Sequence, residues 1–142
     1  YIGDAILWRY IPNRYGEPAL PPSYLYPTEY LDTIRLFMSM KPDHIYTAHY
    51  RPMEGDDANR FLQESLEFAQ ELEATILQIH REFREPLTLK QVIQEVFNIY
   101  KIWPEEAKWD LAYPISGHLN SLVSRGLIKA VRRNGLPAWV AV

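Results

Sequence analysis

The sequence predicts an α+β chain built as two bodies on one long helix, and three observations predict it. Apolar residues recur at steps of three and four across 57–85 (Leu62, Leu66, Ala69, Leu72, Ile76, Ile79 and Phe83), the stripe of an amphipathic helix. The charge changes sign where that helix ends. Residues 1–86 carry 8 Lys/Arg against 14 Asp/Glu, and residues 87–142 carry 7 against 4. Beyond it, 127–132 and 138–142 alternate around Asn134-Gly135, the strongest short hairpin signal. At ~1.5 Å per residue the helix runs about 40 Å, longer than a small domain is wide, so it is expected to join two bodies. A boundary at Pro86 divides the chain into 1–85 and 86–142.

Composition excludes several classes. Of the 142 residues, 47% are hydrophobic, which predicts a packed core and not disorder. Cysteine is absent, so neither a disulfide framework nor a thiolate metal site can form. No apolar run approaches a membrane span and no signal peptide opens the chain, so a cytoplasmic protein with no membrane partner is expected. Tyr1-Ile2-Gly3-Asp4 reads as the interior of a longer protein, which makes the chain a fragment.

Taken in order, Ala5-Ile6-Leu7-Trp8 is a short apolar run entered through Gly3-Asp4 and predicts a buried strand. Five prolines with Tyr15, Tyr24 and Tyr26 make 12–27 a long irregular loop, stiffened by fixed φ and rich in aromatic surface. A helix follows to Met40, with Leu31, Ile34, Phe37 and Met38 on one face. His44-Ile45-Tyr46-Thr47 is a short strand that delivers His49 into a loop ending at Gly55. In the long helix, Asp56 and Asp57 suit the N-terminus, Arg81 and Arg84 suit the last turn, and Pro86 forbids continuation. Three helices are predicted beyond it: 87–100, one from Pro104 to about residue 112, and, after a break at Pro114, 115–125. Gly126 stops the last one. Three helices and a hairpin are the outline of a winged-helix module.

Asp4 and His49 stand out as candidates for chemistry. Each lies at a strand end, where a rigid backbone can hold a side chain in place. A carboxylate and an imidazole suit zinc, manganese or iron, although two ligands are too few for a zinc site. Gly-Asp also reads as a turn, and His49 as a hydrogen-bonded residue. Arg51 beside Tyr50 offers a fork for a substrate carboxylate or phosphate, with an ion pair to Glu54 as the rival reading. His44 is expected at a helix end or in solvent, and His80 on the charged side of the long helix. His118 is expected to pack, and Trp103, Trp109 and Trp139 to fill the core of the second body.

The order of features resembles the C-terminal part of the metallo-β-lactamase-fold hydrolases. The residues that carry it are Gly3-Asp4-Ala5-Ile6, Tyr30-Leu31-Asp32-Thr33-Ile34, Lys41-Pro42-Asp43-His44-Ile45 and Thr47-Ala48-His49. Downstream, Ser116-Gly117-His118-Leu119-Asn120-Ser121-Leu122 with Gly126-Leu127-Ile128 is similar to the winged-helix extension of the lactamase-beta-2-like branch. The resemblance implies the C-terminal portion of an αββα sandwich followed by a winged-helix domain. It further implies a hydrolase in which Asp4 bridges two divalent ions, zinc by expectation, and His49 binds one of them. Tyr50 and Arg51 fall on the substrate side, where the family usually has glycine. The family's His-x-His-x-Asp-His signature does not occur, so this chain alone is expected to hold no metal and to catalyse nothing.

The implied partner of the parent is a small-molecule ester or thioester. RNA contact and a homodimer stay open. The rival class is a nucleic-acid-binding or structural winged helix, with Arg125, Lys129, Arg132 and Arg133 at the wing. The excess of three positive charges in 87–142 is small for a duplex binder, so sequence-specific DNA binding is not expected.

Overall fold

The computed structural model describes residues 1–142. Residues 5–8, predicted as a strand, form no ladder. Ile6 and Leu7 are buried as their apolarity requires, but the Leu7 amide donates to the Tyr30 hydroxyl (3.0 Å), so a side chain stands where a strand partner was expected. The proline-rich stretch is less irregular than its composition suggests. β1 (Ile11–Pro12) and β2 (Pro18–Leu20) pair antiparallel, because Asn13 Oδ1 accepts from the amides of Tyr15 and Glu17 and closes a turn that the proline count conceals.

α1 (Pro27–Met40) begins on a proline whose missing donor costs nothing there, and ends at Lys41 in the left-handed region. β3 (His44–Ile45) pairs antiparallel with β4 (Met53–Glu54). α2 (Gly55–Phe83) follows directly. Asp56 and Asp57 occupy its first turn without capping it through a side chain; they act on the helix dipole alone. Arg84 closes the helix with positive φ.

Two hydrophobic cores share α2. The first gathers Ile6, Tyr24, Tyr30, Ile34 and Ile45 around Ala58, Phe61, Leu62 and Ala69 of the helix. The second gathers Val92, Trp103, Leu111, Leu119 and Ile128 around its Phe68, Leu72, Ile76 and Ile79. His80 belongs to this buried stripe and not to the charged face where it was predicted; it is fully buried. The reason is periodicity: His80 follows Leu72 and Ile76 at steps of four and so lies under the same cover.

β5 (Leu87–Thr88) takes the first two residues of the third predicted helix and pairs them with Trp139 and Ala138. Thr88 then caps α3 (Leu89–Tyr100) reciprocally with Gln91, a capping box that begins the helix two residues later than its apolar pattern does. A tight 3₁₀ stretch, Glu105–Leu111, runs into α4 (Ala112–Ser124). Pro114 does not break this run. It falls in the first turn of α4, where a missing N–H leaves little unpaired. β6 (Ile128–Arg133) and β7 (Leu136–Ala141) pair over six residues each, with Asn134 and Gly135 both at positive φ in the turn between them. The resulting sheet has the order β5-β7-β6.

Among the tryptophans, Trp103 is buried and Trp139 packs against the core, whereas Trp109 is 49% exposed and lies beneath the Lys90 and Lys108 ammonium groups. Its cation-covered surface position corrects the core reading. The stretch 9–27 laces the two cores together. Trp103 donates its indole N–H to the Arg9 carbonyl (3.1 Å), and the Gly117 backbone of α4 presses against Leu25. No helix is long and apolar enough to cross a membrane.

Candidate functional site

Asp4 and His49 come together. Gly3 and Thr47 form a parallel bridge, flanked by Ile2 N–H to Tyr46 O (2.8 Å) and Ala48 N–H to Gly3 O (3.2 Å). The bridge brings the residues that follow it close together, Asp4 directly after Gly3 and His49 two after Thr47. Gly3 turns the chain there with φ +54°, a conformation that glycine adopts freely. His49 Nε2 then lies 3.0 Å from Asp4 Oδ1, both partly open to solvent.

The donor types suit a shared cation. Their separation is that of a direct ion pair, shorter than the roughly 3.4 Å between two ligands of a tetrahedral zinc, and their number is too small. No cluster of three or more His, Cys, Asp or Glu side chains able to hold a metal forms anywhere in the chain. Zinc takes at least three protein ligands, so these two residues fit part of a metal centre and not a whole one.

The residues after His49 are held more firmly. The Tyr50 amide donates to Thr47 Oγ1 (2.9 Å), and its hydroxyl donates to the Tyr10 carbonyl (2.7 Å). Burial, with Tyr30 beside it, pushes the Tyr50 phenol well above its ordinary range, so that hydroxyl keeps its proton and goes on donating. Arg51 is exposed and pairs with no carboxylate; Glu54, its predicted partner, lies against His44 at 3.4 Å instead.

Beside His49 opens a cleft of about 370 Å³. Trp8, Tyr10, Tyr15 and Tyr50 supply its rings, and Arg14 and Arg51 its charge. The loop holding Tyr15 was read as rich in aromatic surface, but Trp8, Tyr10 and Arg14 escaped the sequence reading as site residues. Trp8 alone carried a signal, as an aromatic closing an apolar run. Its backbone has φ +32°, a strained setting for a non-glycine residue that costs on the order of 1–3 kcal/mol. The indole is pinned by a hydrogen bond from Nε1 to Glu64 on α2 (2.9 Å).

A second polar cluster lies where the irregular stretch meets α2 and α4. Glu73 accepts from His118 Nδ1 (3.3 Å), which leaves Nε2 to accept from the buried Tyr24 hydroxyl (2.8 Å). Arg125 closes the chain onto Glu73 at 2.7 Å. The His118 hydrogen bond, reinforced by Arg125 and opposed by burial, holds the Glu73 carboxyl below its ordinary value. His118 thus packs, as anticipated, and also bonds across the seam. Of the wing cations, Arg125 is taken up by Glu73, Arg132 by the Gly135 carbonyl, and Arg133 by Pro86 and Glu85.

No protein-family model matches the sequence, and no curated protein matches it. Solved structures do. A beta-lactamase domain protein from Burkholderia ambifaria aligns with TM-score 0.66 at 16% identity, over 99% of this chain and 39% of that one. A metallo-beta-lactamase family protein from Thermus thermophilus aligns with TM-score 0.65 at 15% identity, over 99% of this chain and 40% of that one. The likeness covers almost the whole chain, which spans about two-fifths of the length of the structures it matches. The chain therefore has the fold of part of a metallo-β-lactamase-domain protein.

Proposed function

We propose that these residues are the C-terminal part of a cytoplasmic metal-dependent hydrolase, with a hydrolase portion at 1–85 and a winged-helix accessory domain at 86–142. The observation that carries this reading is the 3.0 Å approach of Asp4 to His49 at the ends of two parallel segments, within a fold shared with metallo-β-lactamase-domain proteins. In this reading Asp4 and His49 would hold divalent metal, zinc by expectation, with the remaining ligands coming from outside these 142 residues. Metal held there would supply Lewis-acid chemistry for hydrolysis. Tyr50 and Arg51 stand on the substrate side, and the substrate is a small ester or thioester. The sheet order β5-β7-β6 behind α3 and α4 supports the winged-helix assignment. Three of the four wing cations are engaged by the chain itself, which argues against sequence-specific DNA as the partner.

The test is metal analysis and hydrolysis of a thioester and a phosphodiester, run on this chain and on the polypeptide that completes the fold. This chain should hold no stoichiometric zinc and show no turnover. The longer polypeptide should hold two ions, and Asp4→Ala should remove the pair together with the activity. Stoichiometric zinc in the 142-residue chain, or full activity in Asp4→Ala, overturns the reading.

A further inference from the structure

The cleft beside His49 has a chemical character of its own. Its lining includes two guanidinium groups, Arg14 and Arg51, and no carboxylate, in a half of the chain that carries 14 acidic residues against 8 basic ones. Arg14 lies over the Tyr15 ring, its carbon 4.6 Å from the centroid, and donates to the Tyr15 hydroxyl. Arg51 approaches from the opposite segment with no ion pair, and it also borders an adjoining hollow that Asp57 and Glu64 line. Between them the floor is aromatic. Trp8 and Tyr10 tilt against each other at 4.9 Å between centroids, and Tyr50 stands edge-on to Trp8 at 6.5 Å. That floor is preorganised: Tyr50 is tied to the Tyr10 carbonyl and Trp8 to Glu64.

We infer that this cleft is an acid-binding subsite, which takes a substrate bearing a carboxylate or phosphate for the two arginines and a flat or apolar body for the rings. Guanidinium forks match both anions, and stacked rings prefer planar or acyl groups. The inference rests on the hydrolase reading in one respect only: His49, at the same mouth, would mark the reacting end of that substrate. The anionic group is then the recognition handle, and the bond to be cleaved lies on the His49 side.

Binding is read on the 142-residue chain by the indole N–H resonance of Trp8, identified by its loss in Trp8→Phe. The probes are 3-phenylpropionate, phenyl phosphate and the neutral 3-phenylpropanamide. Both anions should move the Trp8 resonance and bind at least about tenfold more tightly than the amide, the scale of a lost charge-assisted pair. Inorganic phosphate and acetate should bind more weakly than the ring-bearing anions. Arg51→Gln and Arg14→Gln should each weaken the anions about tenfold and leave the amide unchanged. Both arginines are exposed, so folding is checked simply by an unchanged thermal transition. A preference for phosphate over carboxylate, or the reverse, names the anion within the class. Equal affinity for amide and carboxylate, or no loss in either arginine variant, overturns the inference. Because the readout needs no metal, it can stand while Asp4→Ala in the longer polypeptide refutes the hydrolase reading, and it can fail while that reading holds.

Discussion

His80 shows how one residue's environment sets a pH dependence. Its Nδ1–H donates to the Ile76 carbonyl at 2.8 Å, while Nε2 is buried with no partner. Burial, only partly offset by that hydrogen bond, lowers its pKa below the ordinary value of 6.5. The unfolded chain takes up a proton near pH 6.5 that the folded chain refuses. The stability tied to the neutral ring is therefore present above about pH 6.5 and lost as pH falls below it. His80→Leu removes the orphaned nitrogen and the titration together. Urea denaturation should show the variant about 1 kcal/mol more stable at pH 7, with the gain growing at pH 5. A variant less stable at pH 5 than the parent would contradict this account.

At the scale of elements, α4 meets the irregular stretch through Gly117. Alanine in place of a helical glycine ordinarily stabilises by up to about 1 kcal/mol. Here a Cβ would stand 2.3 Å from the Leu25 carbonyl oxygen and 2.8 Å from its carbon, both backbone atoms that cannot rotate away. The sign should reverse. Gly117→Ala is expected to cost about 2–3 kcal/mol in chemical denaturation. It should also disturb the Tyr24–His118 hydrogen bond one residue along, visible as a shift of the His118 ring resonances. Glycine is thus needed in α4 for closeness, not for its φ.

For the whole molecule the decisive feature is that both cores are built on α2 and laced by 9–27. Leu62 and Leu72 lie within one helix yet serve different cores. A body that unfolds alone would strip one half of that helix of its cover, and Tyr24–His118 and Trp103–Arg9 would break with it. The chain should accordingly unfold in one transition, with calorimetric and van't Hoff enthalpies in agreement. Leu72→Ala should lower that single transition by about 2–5 kcal/mol without splitting it. Two resolved transitions would show that the bodies are independent.

Local chemistry decided much of this fold in advance. The 3.6-residue stripe determined α2, and Asn134-Gly135 determined the β6-β7 turn, because each acts over a few neighbouring residues. Asp4 and His49 were read as strand-end residues of ligand type, and the order of features around them carried the resemblance that joined them. Residues 5–8 form no strand, however, and the paired strand before His49 ends at Ile45. The 3.0 Å contact of Asp4 with His49, 45 positions apart in sequence, is made by the Gly3–Thr47 bridge, which no local pattern encodes. The same holds for what the sequence reading missed. Residues 5–8 look like a strand, but strands exist only where a partner supplies the ladder, and the Tyr30 hydroxyl took that place. Trp8, Tyr10 and Arg14 are an apolar run and a loop until the chain folds, with no visible link to Arg51, which was read as an anion fork. Only tertiary structure turns them into one cleft, because a cavity is a property of surfaces that meet and not of any segment.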